Sequence, residues 1–129
     1  MSLNFSHMAS HLPAMTSLLA FLALVADLPR VLDSLPAQLY LARSMLGRIE
    51  CPVDAHPPAE LTTWSRDGRV IDVTRTTRMR VTPSGALVIR AVTGEDEGRY
   101  ACTPESRLGA GKTSHPVQVI VRGEDCSRC

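Results

Sequence analysis

The sequence predicts an all-β fold, a two-sheet Greek-key sandwich carrying a short apolar N-terminal extension. Three observations carry this reading. Cys51, Trp64, Tyr100 and Cys102 form a frame in which the tyrosine stands two positions before the second cysteine, inside Asp96-Glu97-Gly98-Arg99-Tyr100-Ala101-Cys102. From Pro36 onward, short runs of alternating apolar and polar residues are separated by turn clusters, as half-buried strands require. The length of 129 residues suits about one domain. Trp64 is the only tryptophan, so much of the core's bulk rests on it.

The first 26 residues differ in kind and read as a signal peptide. Met15 to Ala26 carries no charge and no turn former. It is too short to cross a bilayer as a helix, which takes about 20 residues, but it suits the apolar region of a secretory signal, with a cut between Ala26 and Asp27. The preceding segment holds His7 and His11 but no lysine or arginine, and Leu24 is large for its place before the cut. An N-terminus made by a gene fragment or an alternative start therefore stays open. The sole glycosylation sequon, Asn4-Phe5-Ser6, precedes the apolar run, so the mature domain is expected to carry no N-glycan. Residues 27–35 read as a linker, 36–122 as the domain and 123–129 as a cysteine-containing tail.

Within the domain the elements follow in order. Gln38–Ala42 reads as an early edge strand. Arg48 to Val53 alternates, with Ile49, Cys51 and Val53 on one face, and Pro57-Pro58 ends the element. Leu61 to Arg66 carries Trp64 inward, Asp67-Gly68 is a hairpin turn, and Arg69 to Val73 follows as a short strand. Arg78 to Val81 is next, then the turn Pro83-Ser84-Gly85, then Ala86 to Arg90 with Leu87 and Ile89 inward. Gly98 to Thr103 places Tyr100 and Cys102 on one face, and Val117, Val119 and Val121 alternate along the last strand. No internal repeat is visible.

The Cys–Trp–Tyr–Cys frame resembles that of immunoglobulin domains, which take roughly 100 residues. The resemblance implies that Cys51 and Cys102 form a disulfide bridging the two sheets, with Trp64 packed on it. It also implies that the Tyr100 hydroxyl ties the corner before its strand back to the backbone. About eight strands, with a short strand after the Trp64 strand and nothing more at that edge, suggest the I-set. In such sandwiches the carboxylate six positions before the second cysteine, here Asp96, pairs with an arginine that Arg78 or Arg80 would supply. The alternative is two solvated charges worth under about 1 kcal/mol. Gly98 is read as permitting the tight backbone at the tyrosine corner.

Chemistry of other kinds finds little support. Fourteen basic against thirteen acidic side chains leave no clustered basic surplus of the kind that binds nucleic acid or a membrane surface. Gly109-Ala110-Gly111-Lys112-Thr113 resembles the end of a phosphate-binding loop, but Ser106 occupies the place of the first glycine, so it reads as a flexible hairpin. His7, His11, His56 and His115 are scattered, and no nucleophile–base arrangement or metal spacing emerges. No enzyme activity, cofactor, metal or small-molecule substrate is expected. Cys126-Ser127-Arg128-Cys129 could be a strained internal bridge, a source of intermolecular disulfides or a ragged end left by truncation. Its position favours the last, since no helix can follow to lower a thiol pKa.

Several segments are more specific. Cys51-Pro52-Val53-Asp54-Ala55-His56-Pro57-Pro58, Trp64-Ser65-Arg66-Asp67-Gly68, Ser84-Gly85-Ala86-Leu87, Glu97 to Pro104 and Leu108-Gly109 together resemble the turtle family of neuronal adhesion proteins, over about Leu39 to Arg122. Members of that family are single-pass membrane proteins with several immunoglobulin and fibronectin type III domains, associated with homophilic adhesion, dendrite and axon patterning and synapse organisation. The resemblance implies a non-catalytic, extracellular protein-binding domain, secreted or part of a cell-surface protein, with a homophilic or heterophilic immunoglobulin-superfamily partner. Arg66 and Arg69, and Glu105, Arg107 and Lys112 of the Glu105–Thr113 hairpin, are the expected contact residues. This chain shows one such domain and neither a fibronectin domain nor a membrane span, so a fragment, a short isoform or a diverged single-domain relative is implied. Two alternatives stand beside it: an intracellular structural spacer with reduced cysteines, and a secreted single-domain decoy.

Overall fold

Buried side chains at every second position place the strands around one interior. The computed structural model describes residues 27–123. Leu41, Ile49, Trp64, Leu87, Ile89, Tyr100, Val117 and Val119 meet there as one apolar cluster, the arrangement that alternation on two facing sheets produces.

The larger sheet runs in the order β2 (Gln38–Ala42), β11 (Val117–Arg122), β9 (Gly98–Ser106), β5 (Leu61–Arg66), β6 (Arg69–Val70), with β10 (Gly109–Ala110) paired to the far end of β9. Every pairing in it is antiparallel except β2 with β11, which is parallel. The facing sheet is β3 (Gly47–Ile49), β8 (Leu87–Ile89), β7 (Met79–Val81). A third pairing joins β1 (Asp27–Val31) to β4 (Val53–His56). One short strand follows β5 at its edge, and the chain then makes a 3-10 turn over Val73–Arg75 and passes to the facing sheet. This is the immunoglobulin sandwich expected from the frame, with a single short edge strand after β5.

Cys51 and Cys102 are joined by a disulfide, their Cα atoms 6.3 Å apart. Trp64 stands opposite Cys102 in the β5–β9 register, and its indole N–H donates to the Gly85 carbonyl at 2.9 Å. The polar tip of the largest core residue is thereby satisfied without water.

Several expected elements are corrected. Residues 27–35 are not a linker: Asp27–Val31 is a strand against β4, and Pro29 and Leu35 are buried. Proline lacks a ladder donor and hides the strand from alternation, yet it is tolerated where a strand lies at an edge. Arg48 to Val53 is two strands, because the chain leaves β8 after Ile49 and takes β1 as its partner from Val53, with Cys51 in the gap. The run after the Asp67-Gly68 turn is a strand only to Val70. The strand carrying Tyr100 continues past Thr103 to Ser106, through the buried Pro104.

Candidate functional site

The corner between β8 and β9 gathers Asp96, Arg78 and Tyr100 of the residues singled out from sequence. Asp96 is 1 % exposed and closes a 3-10 turn over Gly94–Asp96. Its carboxylate accepts the Thr93 backbone N–H at 2.8 Å and the Arg78 guanidinium at 2.6 Å. Arg78 is thus the partner that sequence spacing left open between two arginines. The Tyr100 hydroxyl donates to the Asp96 carbonyl oxygen at 2.6 Å. Burial raises the Tyr100 pKa above its usual 10.0, while the nearby Arg66 guanidinium pulls the other way. Glu97 accepts the Val121 N–H at 2.9 Å, so the corner is also tied to β11. These bonds close the lower end of the sandwich, and every buried acceptor in them is satisfied.

Gly98 sits here for a steric reason. A side chain on it would come within 3.0 Å of both Arg66 Cγ and Asp67 Oδ2. The hairpin glycine Gly111 is tighter still, since a Cβ there would lie 1.9 Å from the Pro29 carbonyl oxygen. The glycine-rich segment that resembles a phosphate loop is therefore a close backbone approach between the hairpin and β1.

The expected contact residues fall into two separate patches. Arg66 and Arg69 stand at the β5–β6 edge, beside a groove of about 470 Å³ that Asp67, Val70, Ile71 and Met79 also line. Arg66 is largely committed, because its guanidinium donates to the Glu95 carbonyl at 3.0 Å. Arg69 is exposed. Glu105, Arg107 and Lys112 are exposed on and around the β9–β10 hairpin. The register pairs Arg66 with Tyr100 and Leu61 with Glu105, so the length of β5, roughly 17 Å, separates the patches. They do not make one site.

Among the described residues no group of three or more His, Cys, Asp or Glu side chains could hold a metal ion, and no helix is long and apolar enough to cross a membrane. The apolar run from Met15 to Ala26, read above as part of a signal peptide, and the Cys126–Cys129 tail lie outside the described residues. Sequence reading gave Arg80 only the role of a possible Asp96 partner. The structure instead leaves it on the outer face of the three-stranded sheet, opposite Val88.

A two-sheet sandwich with one buried inter-sheet disulfide, a tryptophan against it and a tyrosine corner defines a class of β-sandwich domain. A family model described as an immunoglobulin domain matches residues 32–121, and the chain belongs to that family. It is 31 % identical over 99 residues to protein turtle homolog B of Homo sapiens, covering 77 % of this chain and 7 % of that protein. The chain thus spans less than a tenth of that relative. It is 41 % identical over 75 residues to the muscle M-line assembly protein unc-89 of Caenorhabditis elegans, covering 57 % of this chain and 1 % of that one. Among solved structures it is similar to the N-terminal Ig1-2 module of the Drosophila receptor protein tyrosine phosphatase DLAR. That match has a TM-score of 0.65 and 20 % identity, covering 76 % of this chain and 47 % of the other. The turtle resemblance drawn from the sequence motifs is thereby borne out.

Proposed function

We propose that this chain is a non-catalytic, extracellular immunoglobulin domain that binds another protein in cell–cell adhesion or neuronal recognition. The observation that carries the reading is its similarity to turtle homolog B across nearly the whole sandwich. The cross-link between Cys51 and Cys102 suits an oxidising compartment. The partner is another immunoglobulin-superfamily protein, of the same or a different kind. Arg69 at the β5–β6 edge and Glu105, Arg107 and Lys112 at the hairpin remain the first residues to test.

The test is expression of the whole chain in secreting cells, with intact mass and disulfide mapping of the product, followed by aggregation of beads coated with it. The reading expects a secreted species beginning near Asp27, with Cys51 joined to Cys102, and beads that cluster or capture an immunoglobulin-superfamily partner. The similarity to unc-89 favours one other reading, an intracellular structural spacer. Retention in the cell with free thiols at both positions would select it.

A further inference from the structure

We propose that the outer face of the three-stranded sheet, around Arg80, Val88 and Arg90, binds an acidic segment of a partner protein. This rests on the protein-binding reading above and names a surface and a partner chemistry for it.

The central strand β8 sends Leu87 and Ile89 into the core, so Val88 between them faces outward. An outward valine in a small sheet is ordinarily well exposed, yet Val88 is only 2 % exposed and is not part of the core cluster. Its cross-strand neighbours explain this. Arg48 on β3 and Arg80 on β7 stand directly opposite it on either side, where long arginine stems can cover an apolar floor. Beside them lies a groove of about 420 Å³ lined by Leu46, Thr77, Arg80, Val88 and Arg90. Leu46 at its rim is 66 % exposed.

The charges on this face do not cancel. Arg48 is paired with Glu50. Among the described residues Arg80 and Arg90 take part in no ion pair, as is also true of Arg43, Arg66, Arg69, Arg99, Arg107 and Arg122, whereas Arg30, Arg48, Arg75 and Arg78 each do. Arg80 and Arg90 are both exposed. Two planar guanidinium forks beside an exposed leucine match carboxylates flanking an apolar side chain. Arginine and apolar anchors are also what protein interfaces concentrate. A long polyanion fits less well, because Glu50 interrupts the row of cations at β3.

The experiment uses the purified full-length chain and, as probe, an acetylated and amidated peptide Asp-Glu-Leu-Asp-Leu-Glu. It is followed by NMR through the arginine Nε–H signals and the valine and leucine methyls. The proposal expects saturable shifts at Arg80, Arg90, Val88 and Leu46 and none with the Asn-Gln-Leu-Asn-Leu-Gln peptide. It also expects a loss of affinity of about tenfold or more in the Arg80→Ala, Arg90→Ala double variant. Arg80→Lys, Arg90→Lys keeps the charges without the fork and should lie between. Amide dispersion reports whether each variant is folded.

Any of four results overturns it: equal shifts at all arginines, the same residues responding to heparin but not to the peptide, the same residues shifting with protein concentration alone, or no peptide binding. In the last case, beads that still aggregate would leave the protein-binding reading standing and remove only this surface.

Discussion

Arg78 and Arg80 stand two residues apart, one just before β7 and the other on it, yet they belong to different parts of the protein. Arg78 turns under the end of the sandwich onto the buried Asp96 carboxylate, inside a corner where Thr93, Tyr100 and Val121 are also tied down. Arg80 stays on the outer face over Val88, with no carboxylate partner among the described residues. The corner gives its charges to the fold, and the face keeps them for something else. Two arginines that a sequence cannot tell apart thus separate into one whose loss should destabilise the domain strongly and one whose loss should leave its stability nearly unchanged.

The corner should yield the largest effect. Asp96→Ala removes the acceptor for Arg78 and for the Thr93 N–H. Breaking a buried pair costs about 3–5 kcal/mol when the stranded charge stays buried. The Arg78 side chain is 42 % exposed and can regain water, so the expected loss is about 2–3 kcal/mol, read from denaturant midpoints. A loss below about 1 kcal/mol would place this pair with ordinary surface bridges and erase the contrast.

Tyr100→Phe is the next step down. It deletes the hydroxyl that donates to the Asp96 carbonyl and keeps the ring in the core. The expected cost is about 1–2 kcal/mol. A neutral substitution would mean that the corner is held by its ion pair alone.

The same hydroxyl predicts a pH response. Because burial raises the Tyr100 pKa in the folded chain above 10.0, the unfolded chain loses this proton first as pH rises. Its contribution to stability is fully present below about pH 10 and is lost as pH climbs from there through the folded value. Denaturant midpoints of the natural chain and of Tyr100→Phe should therefore run parallel up to about pH 10 and converge above it. Midpoints that stay parallel at higher pH would show that the hydroxyl is not held by burial.

On the outer face, Arg90→Ala should change stability by no more than about 0.5 kcal/mol, as for surface substitutions away from special features. A larger loss would mean that this arginine also serves the fold.

How much of this could be read from the chain depends on side-chain size and period. Cys51, Trp64, Tyr100 and Cys102 were legible because large or reactive residues at strand spacing leave few alternatives, and the sandwich follows from them. β1 was not, because Pro29 breaks its alternation and its partner β4 lies far along the chain. The break at Cys51 was hidden because burial alternates smoothly from Gly47 to Cys51 while the pairing partner changes. The purpose of Gly111 depends on a backbone oxygen more than 80 residues earlier, Pro29, which no local pattern reports. Contact residues were the least legible. Exposure can be guessed from a charge, but that Arg66 is spent on the Glu95 carbonyl depends on a contact 29 residues along the chain.

The most direct test of this division is the stability of Arg78→Ala against Arg80→Ala in the same denaturant titration. Arg78→Ala should lose about 3–5 kcal/mol, since it strands the buried Asp96 carboxylate, while Arg80→Ala should stay within about 0.5 kcal/mol of the natural chain. Equal losses from the two variants would contradict the account.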